Sequence, residues 1–284
     1  MKQFREILKG IIIGIANIIP GVSGGTMAVS MGIYDKLIGA INNIRKDFKN
    51  SVILLLPYLI GAILGIGILS FVVKYTLSTY PLQTSGLFIG LIVGGLPIIV
   101  NKVKGEKLRF SYIIMFGVFF GVVLLMAFSK EGSSAALDIK LNVMQMFILL
   151  LVGVVAAATM IIPGVSGSMV MMLLGYYNII ISNISNFIEA VFKMEINGII
   201  HGIGVLTPFC IGILLGIGII AKLITWLFEK APTLTYWGIL GLIIASPIAI
   251  IAKAGAITYT AAAVASSLAC FAIGFAIAFF LGRE

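Results

Sequence analysis

A seventeen-residue segment occurs twice in this chain, and each copy interrupts an apolar run with the same turn-forming residues. Residues 18–34 read IIPGVSGGTMAVSMGIY and residues 161–177 read IIPGVSGSMVMMLLGYY, 143 positions apart with nine identities. A second match follows in the same order, PYLIGAILGIGI at 57–68 and PFCIGILLGIGI at 208–219, 151 positions apart with eight identities. Pro81 and Pro232 keep the displacement of 151. Self-similarity of this kind fixes the organisation before any local reading does. The change in displacement fits a longer loop in the second copy, between Phe187 and Thr207. The chain therefore reads as two halves on one plan, 1–141 and 142–284.

Composition decides the solvent. Of 284 residues 61% are apolar and 10% charged, with a mean hydropathy of +1.19, against about 45–50% and about 25% in soluble domains. A soluble globule needs more polar surface than this, and a disordered chain needs fewer apolar groups and more charge. The apolar runs extend over ~15–28 residues, the length of membrane helices rather than of barrel strands. The chain is expected to be all-α, a polytopic helical membrane protein. Cys210 and Cys270 stand alone in apolar runs, so neither a disulfide framework nor a metal site is expected. The start, with Lys2, Arg5 and Lys9 before an apolar stretch, imitates a signal peptide. Because the segment recurs within the chain, it is assigned to the fold instead.

Each half begins with a short apolar arm, a P-G-V-S-G break and a second arm. An arm of about 13 residues covers roughly 20 Å, less than a hydrocarbon core of about 30 Å. The broken segments at 7–41 and 143–184 are accordingly predicted to be re-entrant helical hairpins. Three transmembrane helices follow in each half, at about 51–73, 85–101 and 110–129, then at about 199–227, 235–252 and 256–281. Three crossings per half invert the halves relative to each other. That layout puts fourteen of the nineteen Lys and Arg residues on the side of the N-terminus. The bias makes that side cytoplasmic and explains the net charge of +9 as topology rather than as a nucleic-acid surface.

Non-helical backbone at membrane depth survives only where protein or a water-filled cavity surrounds it. An inverted pair of breaks near the midplane is the pattern of secondary transporters, with the site at the repeat interface. Pro20 and Pro163 end the first arms, and the glycines allow a tight reversal. Gly21, Ser23, Gly24, Gly25 and Thr26, with Gly164, Ser166, Gly167 and Ser168, then offer backbone N–H groups and hydroxyls suited to one anion, phosphate especially. The competing reading is that these small residues serve packing and kinks only. For GAILGIG (Gly61, Gly65, Gly67) and GILLGIG (Gly212, Gly216, Gly218), helix contact is the preferred reading.

Other polar residues carry less. Asp35 lies nine residues past the first break, about 14 Å along a continuous helix, and is a candidate for ion coupling or a plain boundary acid. Its counterpart in the second half is Asn178. Tyr34 and Tyr177 match as interfacial anchors, His201 suits a passive interfacial position, and Asn17 and Thr159 either line a cavity or bond within their own helices. No catalytic set, cofactor motif or ATP-binding loop is present, so no enzyme is expected, and transport would be ion-coupled or passive.

At IIPGVSGGTMAVSMGIYDKLIGAI and IIPGVSGSMVMMLLGYYNIII the chain resembles a bacterial membrane family once listed as domain of unknown function 368 and now regarded as polyprenyl-phosphate transporters. The resemblance covers nearly the whole chain. It implies a flippase that returns undecaprenyl phosphate, the cell-envelope lipid carrier, from the outer to the inner leaflet of the bacterial cytoplasmic membrane, with the N-terminus cytoplasmic. The implied partners are that lipid or a related polyprenyl phosphate, membrane lipid and a coupling proton or sodium ion. The family motif carries over onto Pro20, Gly21, Ser23, Gly24, Gly25 and Thr26, and onto Pro163, Gly164, Ser166, Gly167 and Ser168. Asp35 departs from the Glu expected there. A carrier of a soluble anion, a membrane-embedded lipid phosphatase and a scaffold remain alternatives.

Overall fold

In the computed structural model, residues 2–17, 22–129, 142–254 and 259–282 are described, and every regular element among them is helical. The first six helices are α1 (Lys2–Ala16), α2 (Gly24–Ser30), α3 (Tyr34–Asn43), α4 (Phe48–Thr79), α5 (Pro81–Val103) and α6 (Phe110–Phe128). The next six are α7 (Val143–Ile161), α8 (Gly167–Leu173), α9 (Tyr177–Lys193), α10 (Ile196–Lys230), α11 (Pro232–Lys253) and α12 (Ala261–Gly282). Helix starts recur at the displacements of the sequence repeat. α2 and α8 each span seven residues and start 143 positions apart. α5 and α11 both start on a proline, whose missing N–H costs nothing at a helix start.

The arm after each break differs from the expected single helix. Gly32 (φ +69°) ends α2 and Gly175 (φ +78°) ends α8, both in the left-handed region that favours glycine. α8 and α9 are bent by 107°. Asp35 therefore sits in the first turn of a new helix, α3, and the offset of about 14 Å along one continuous helix does not hold.

Among the described residues, seven helices are long and apolar enough to cross a membrane: α4 over Phe48–Gly67, α5, α6, α7, α10, α11 and α12. The chain is a multi-pass helical membrane protein. α7 spans 19 residues, about 28 Å, close to a full hydrocarbon core, whereas the sequence layout assigns that segment to a re-entrant arm.

The helices form two compact units. One comprises residues 1–128, 162–166 and 221–284, and the other 129–161 and 167–220. In the first unit α1 packs on α4, α6 on α11, and α5 on α12 and α2. A Cβ added to Gly61 would lie 2.1 Å from the Ile7 carbonyl oxygen, and one added to Gly65 2.5 Å from that of Ile11. These two glycines are thus helix contacts, as expected. In the second unit α7 packs on α10 in the same way, with Gly212 against Leu150 and Gly216 against Val154. Its core gathers Leu149, Val152 and Ala156 of α7, Ile180 of α9, and Val205 and Phe209 of α10. Gly67 and Gly218, expected from the same motifs to be helix contacts, are not: a Cβ on either would face open space, because two residues past Gly65 and Gly216 the helix has turned by about 200°.

Candidate functional site

The first break is built at the end of α1. Pro20 and Gly21 lie outside the described residues. Asn17 anchors the last turn of α1 by donating from Nδ2 to the Ile13 carbonyl (3.1 Å), and its Oδ1 accepts the Gly24 N–H (3.1 Å). Ser23 is the N-cap of α2, its hydroxyl accepting the Thr26 N–H at 3.1 Å and lying 3.1 Å from Thr26 Oγ1. A serine at this position satisfies one of the helix's otherwise orphaned N–H groups. Ser23, Gly24, Gly25 and Thr26 are all buried.

The turn of the second break, residues 162–166, belongs to the same compact unit. There the N–H of Gly164 donates to Thr26 Oγ1 at 2.6 Å, a buried bond across 138 positions. Gly164 has φ +79°. A Cβ on it would approach Leu242 Cβ to 2.7 Å and the Leu242 carbonyl oxygen to 2.9 Å. Pro163, Val165 and Ser166 are buried around it. Three of the candidate donors are therefore engaged: Gly24 N–H on Asn17, Thr26 N–H on Ser23, and Gly164 N–H on Thr26.

Gly167 and Ser168 open α8 in the other unit. There Met160 covers the helix start: a Cβ on Gly167 would meet its Cγ at 2.7 Å. Met160 stands where the repeat has Asn17 in the first half, so the first helix start meets an amide and the second a thioether. Thr159 donates to the Ala156 carbonyl at 2.8 Å and so bonds within its own helix.

Asp35 is brought to residues that nothing local in the sequence pairs with it. Tyr236 of α11 donates its phenol O–H to Asp35 Oδ2 at 2.7 Å, and the Lys102 ammonium lies 5.8 Å from the Tyr236 ring centroid. These three residues border a cavity of about 50 Å³. Asp35 also borders a second cavity of about 280 Å³, together with Thr225 and Glu229. The next residue, Lys36, donates to Glu6 (2.9 Å) and Tyr58 (3.3 Å). Burial works against its charge, but those two bonds outweigh it and hold the ammonium above the usual lysine range. Tyr34 is buried, its ring edge-on to Phe228 at 6.4 Å, and so is not an exposed interfacial anchor.

Ser30, at the far end of α2, went unrecognised as a site feature. Its Oγ is buried without a hydrogen-bond partner among the described residues, as is Ser85 Oγ on α5. The repeat offered one signal for Ser30, because its counterpart is the apolar Leu173.

Residues 13–262 match the model of the undecaprenyl phosphate translocase-like family. The chain belongs to that family. The matched stretch contains both breaks, as the resemblance read from the duplicated motif requires. A curated Staphylococcus aureus protein named polyprenyl-phosphate transporter is 29% identical over all of this chain and 98% of its own length. A Vibrio cholerae protein of the same name is 26% identical over 86% of this chain and 76% of its own. No solved structure matches.

Proposed function

We propose that this protein moves a polyprenyl phosphate, such as undecaprenyl phosphate, across the membrane, from the outer to the inner leaflet of a bacterial cytoplasmic membrane. The observation that carries the reading is the buried bond between Gly164 N–H and Thr26 Oγ1, because it joins the two copies of the duplicated break. Ser23, Thr26, Ser30 and Ser166 are buried polar groups in a chain that is otherwise strongly apolar. The names of the two relatives support the substrate class.

The physics asks little else of the protein. A phosphate monoester cannot enter hydrocarbon unaided, since desolvating an isolated charge costs tens of kcal/mol in a continuum treatment. The prenyl tail can stay in lipid throughout. The headgroup needs hydroxyls and N–H groups that are already desolvated and already oriented. In this conformation the Thr26 hydroxyl is engaged by the Gly164 N–H and the Thr26 N–H by Ser23, so these groups are not free for an anion. An entering phosphate exchanges the Thr26–Gly164 and Thr26–Ser23 bonds for charge-assisted ones, which are roughly twice as strong as neutral hydrogen bonds. Rocking of α1–α3 against α4 and α5 opens the first break towards one leaflet at a time.

Asp35 is the carboxylate proposed for gradient coupling. Its bond to Tyr236 ties α3, the helix that follows the first break, to α11. The N-terminus is proposed to be cytoplasmic on the fourteen-to-five bias of basic residues.

The test is exchange in proteoliposomes. Undecaprenyl phosphate is placed in both leaflets, and an impermeant phosphate probe reads how much becomes accessible from outside. Protein-dependent exchange that is lost on joint Ser23→Leu and Ser166→Leu substitution supports the reading. Wild-type exchange retained by that variant removes the breaks from the mechanism. Transport of inorganic phosphate without lipid exchange would favour a soluble-anion carrier.

A further inference from the structure

Two neighbouring residues in the first turn of α3 bind in different directions. Asp35 accepts the phenol O–H of Tyr236 on α11 at 2.7 Å. Lys36 donates to Glu6 of α1 at 2.9 Å and to Tyr58 of α4 at 3.3 Å, its ammonium 5.6 Å from the Tyr58 ring centroid. Tyr34 adds an edge-on ring contact to Phe228 of α10. That contact is buried at the base of the turn, two residues past Gly32, which ends α2 with φ +69°. Beyond this base the seam is not filled. A cavity of about 280 Å³ lies between α3, the end of α10 and the start of α11, all within the first compact unit. Asp35, Ile38 and Gly39 line it from α3, at the i, i+3, i+4 spacing of one helix face. A Cβ on Gly39 would meet nothing within 4 Å. Asp35 and Glu229, both exposed, border the cavity with like charge, which works against closure.

We infer that the Asp35–Tyr236 bond is a latch that holds α3 against α10 and α11, and that α3 swings out of this seam about Gly32 and Tyr34 when the bond yields. Lys36 is the tether that keeps α3 with α1 during the movement. Side-chain length decides which bond gives way. The lysine ammonium rides on a flexible four-carbon stem and follows a shift of the backbone, whereas aspartate reaches through a single methylene and does not. The seam also lacks the close backbone packing that glycines give α1 on α4 and α11 on α6. Because α3 follows directly on α2, the helix that starts at the first break, the latch restrains the arm that carries the break. The inference rests on the transport reading given above and names the contact that its rocking movement must release.

Spin-label distances on the full chain in liposomes test this, with Cys210→Ser and Cys270→Ser removing the native thiols. Labels at Asn43→Cys and Lys230→Cys read the seam, and labels at Gln3→Cys and Asn43→Cys read α3 against α1; all three positions are exposed. Tyr236→Phe should raise the ratio of long to short Asn43–Lys230 distances about fivefold, the worth of one hydrogen bond. The Gln3–Asn43 distance should stay as it is. Gly39→Leu, which fills the cavity, should abolish the long distance and slow undecaprenyl phosphate exchange by about tenfold. Gly117→Leu on α6, where a Cβ also meets nothing within 4 Å, should do neither. Thermal unfolding of each variant separates a closed seam from a misfolded protein.

An unchanged Asn43–Lys230 distance in folded Tyr236→Phe would overturn the latch. Wild-type exchange by folded Gly39→Leu would do the same. A Gln3–Asn43 distance that lengthens together with the seam would remove Lys36 as the tether. If the wild type exchanges no undecaprenyl phosphate, the transport reading falls, while the two distances still decide whether α3 is latched.

Discussion

The backbone N–H of Gly164 and the hydroxyl of Thr26 meet at 2.6 Å in a fully buried position. This bond links one copy of the duplicated turn to the other, and it gives the site its most testable part. Thr26→Val keeps the shape of the side chain but strands a buried donor. An unsatisfied buried group costs about 1–3 kcal/mol, so thermal unfolding in detergent should show a loss of that size. Thr26→Ser, which keeps the hydroxyl, should recover most of it.

Gly164 itself tolerates no side chain. Its φ of +79° is unfavourable for L-residues by roughly 1–2 kcal/mol. The new Cβ would also press on the backbone of Leu242, an overpacking worth about 1–3 kcal/mol. Gly164→Ala should therefore lower the melting temperature clearly, whereas Gly218→Ala, which meets nothing within 4 Å, should be neutral or slightly stabilising because alanine favours the helix by up to about 1 kcal/mol.

Asn17 and Met160 occupy equivalent positions of the repeat and cover their helix starts differently. Asn17→Met removes the acceptor of the Gly24 N–H. A loss of about 1 kcal/mol in unfolding stability is expected, accompanied by faster hydrogen exchange at the Gly24 amide. Met160→Leu, which keeps an apolar cover of similar volume, should cost less than about 1.5 kcal/mol.

Asp35 and Tyr236 separate coupling from structure. Asp35 is exposed, so the loss of one hydrogen bond in Asp35→Asn should cost no more than about 1 kcal/mol. The proposed coupling role requires a different effect: lipid exchange in that variant should no longer respond to an imposed proton or sodium gradient, while exchange without a gradient continues. Tyr236→Phe keeps the ring that packs on Phe228 at 5.1 Å and should retain the gradient response in weakened form.

Much of this arrangement was legible because it is written locally or twice. The two breaks and the close contacts at Gly61, Gly65, Gly212 and Gly216 follow from motifs that recur in register. The division of each second arm at Gly32 and Gly175 was harder to read. A glycine within an apolar run suits helix packing as well as a left-handed turn, and only φ distinguishes them. The pairing of Asp35 with Tyr236, 201 positions away, leaves no periodic trace at all. Asn17 was recognisable as a residue near the break, but its role as acceptor for Gly24 depends on how α1 ends and α2 begins, which no spacing rule supplies.

The most direct measurement of the central claim is undecaprenyl phosphate exchange in proteoliposomes by the wild type, Thr26→Val and Thr26→Ser at matched insertion. If the joined breaks carry the headgroup, the wild type and Thr26→Ser exchange the lipid, and Thr26→Val loses about tenfold or more, the effect of one charge-assisted hydrogen bond of about 1.5–3 kcal/mol. Exchange by folded Thr26→Val at the wild-type rate would contradict a headgroup site at the Thr26–Gly164 junction.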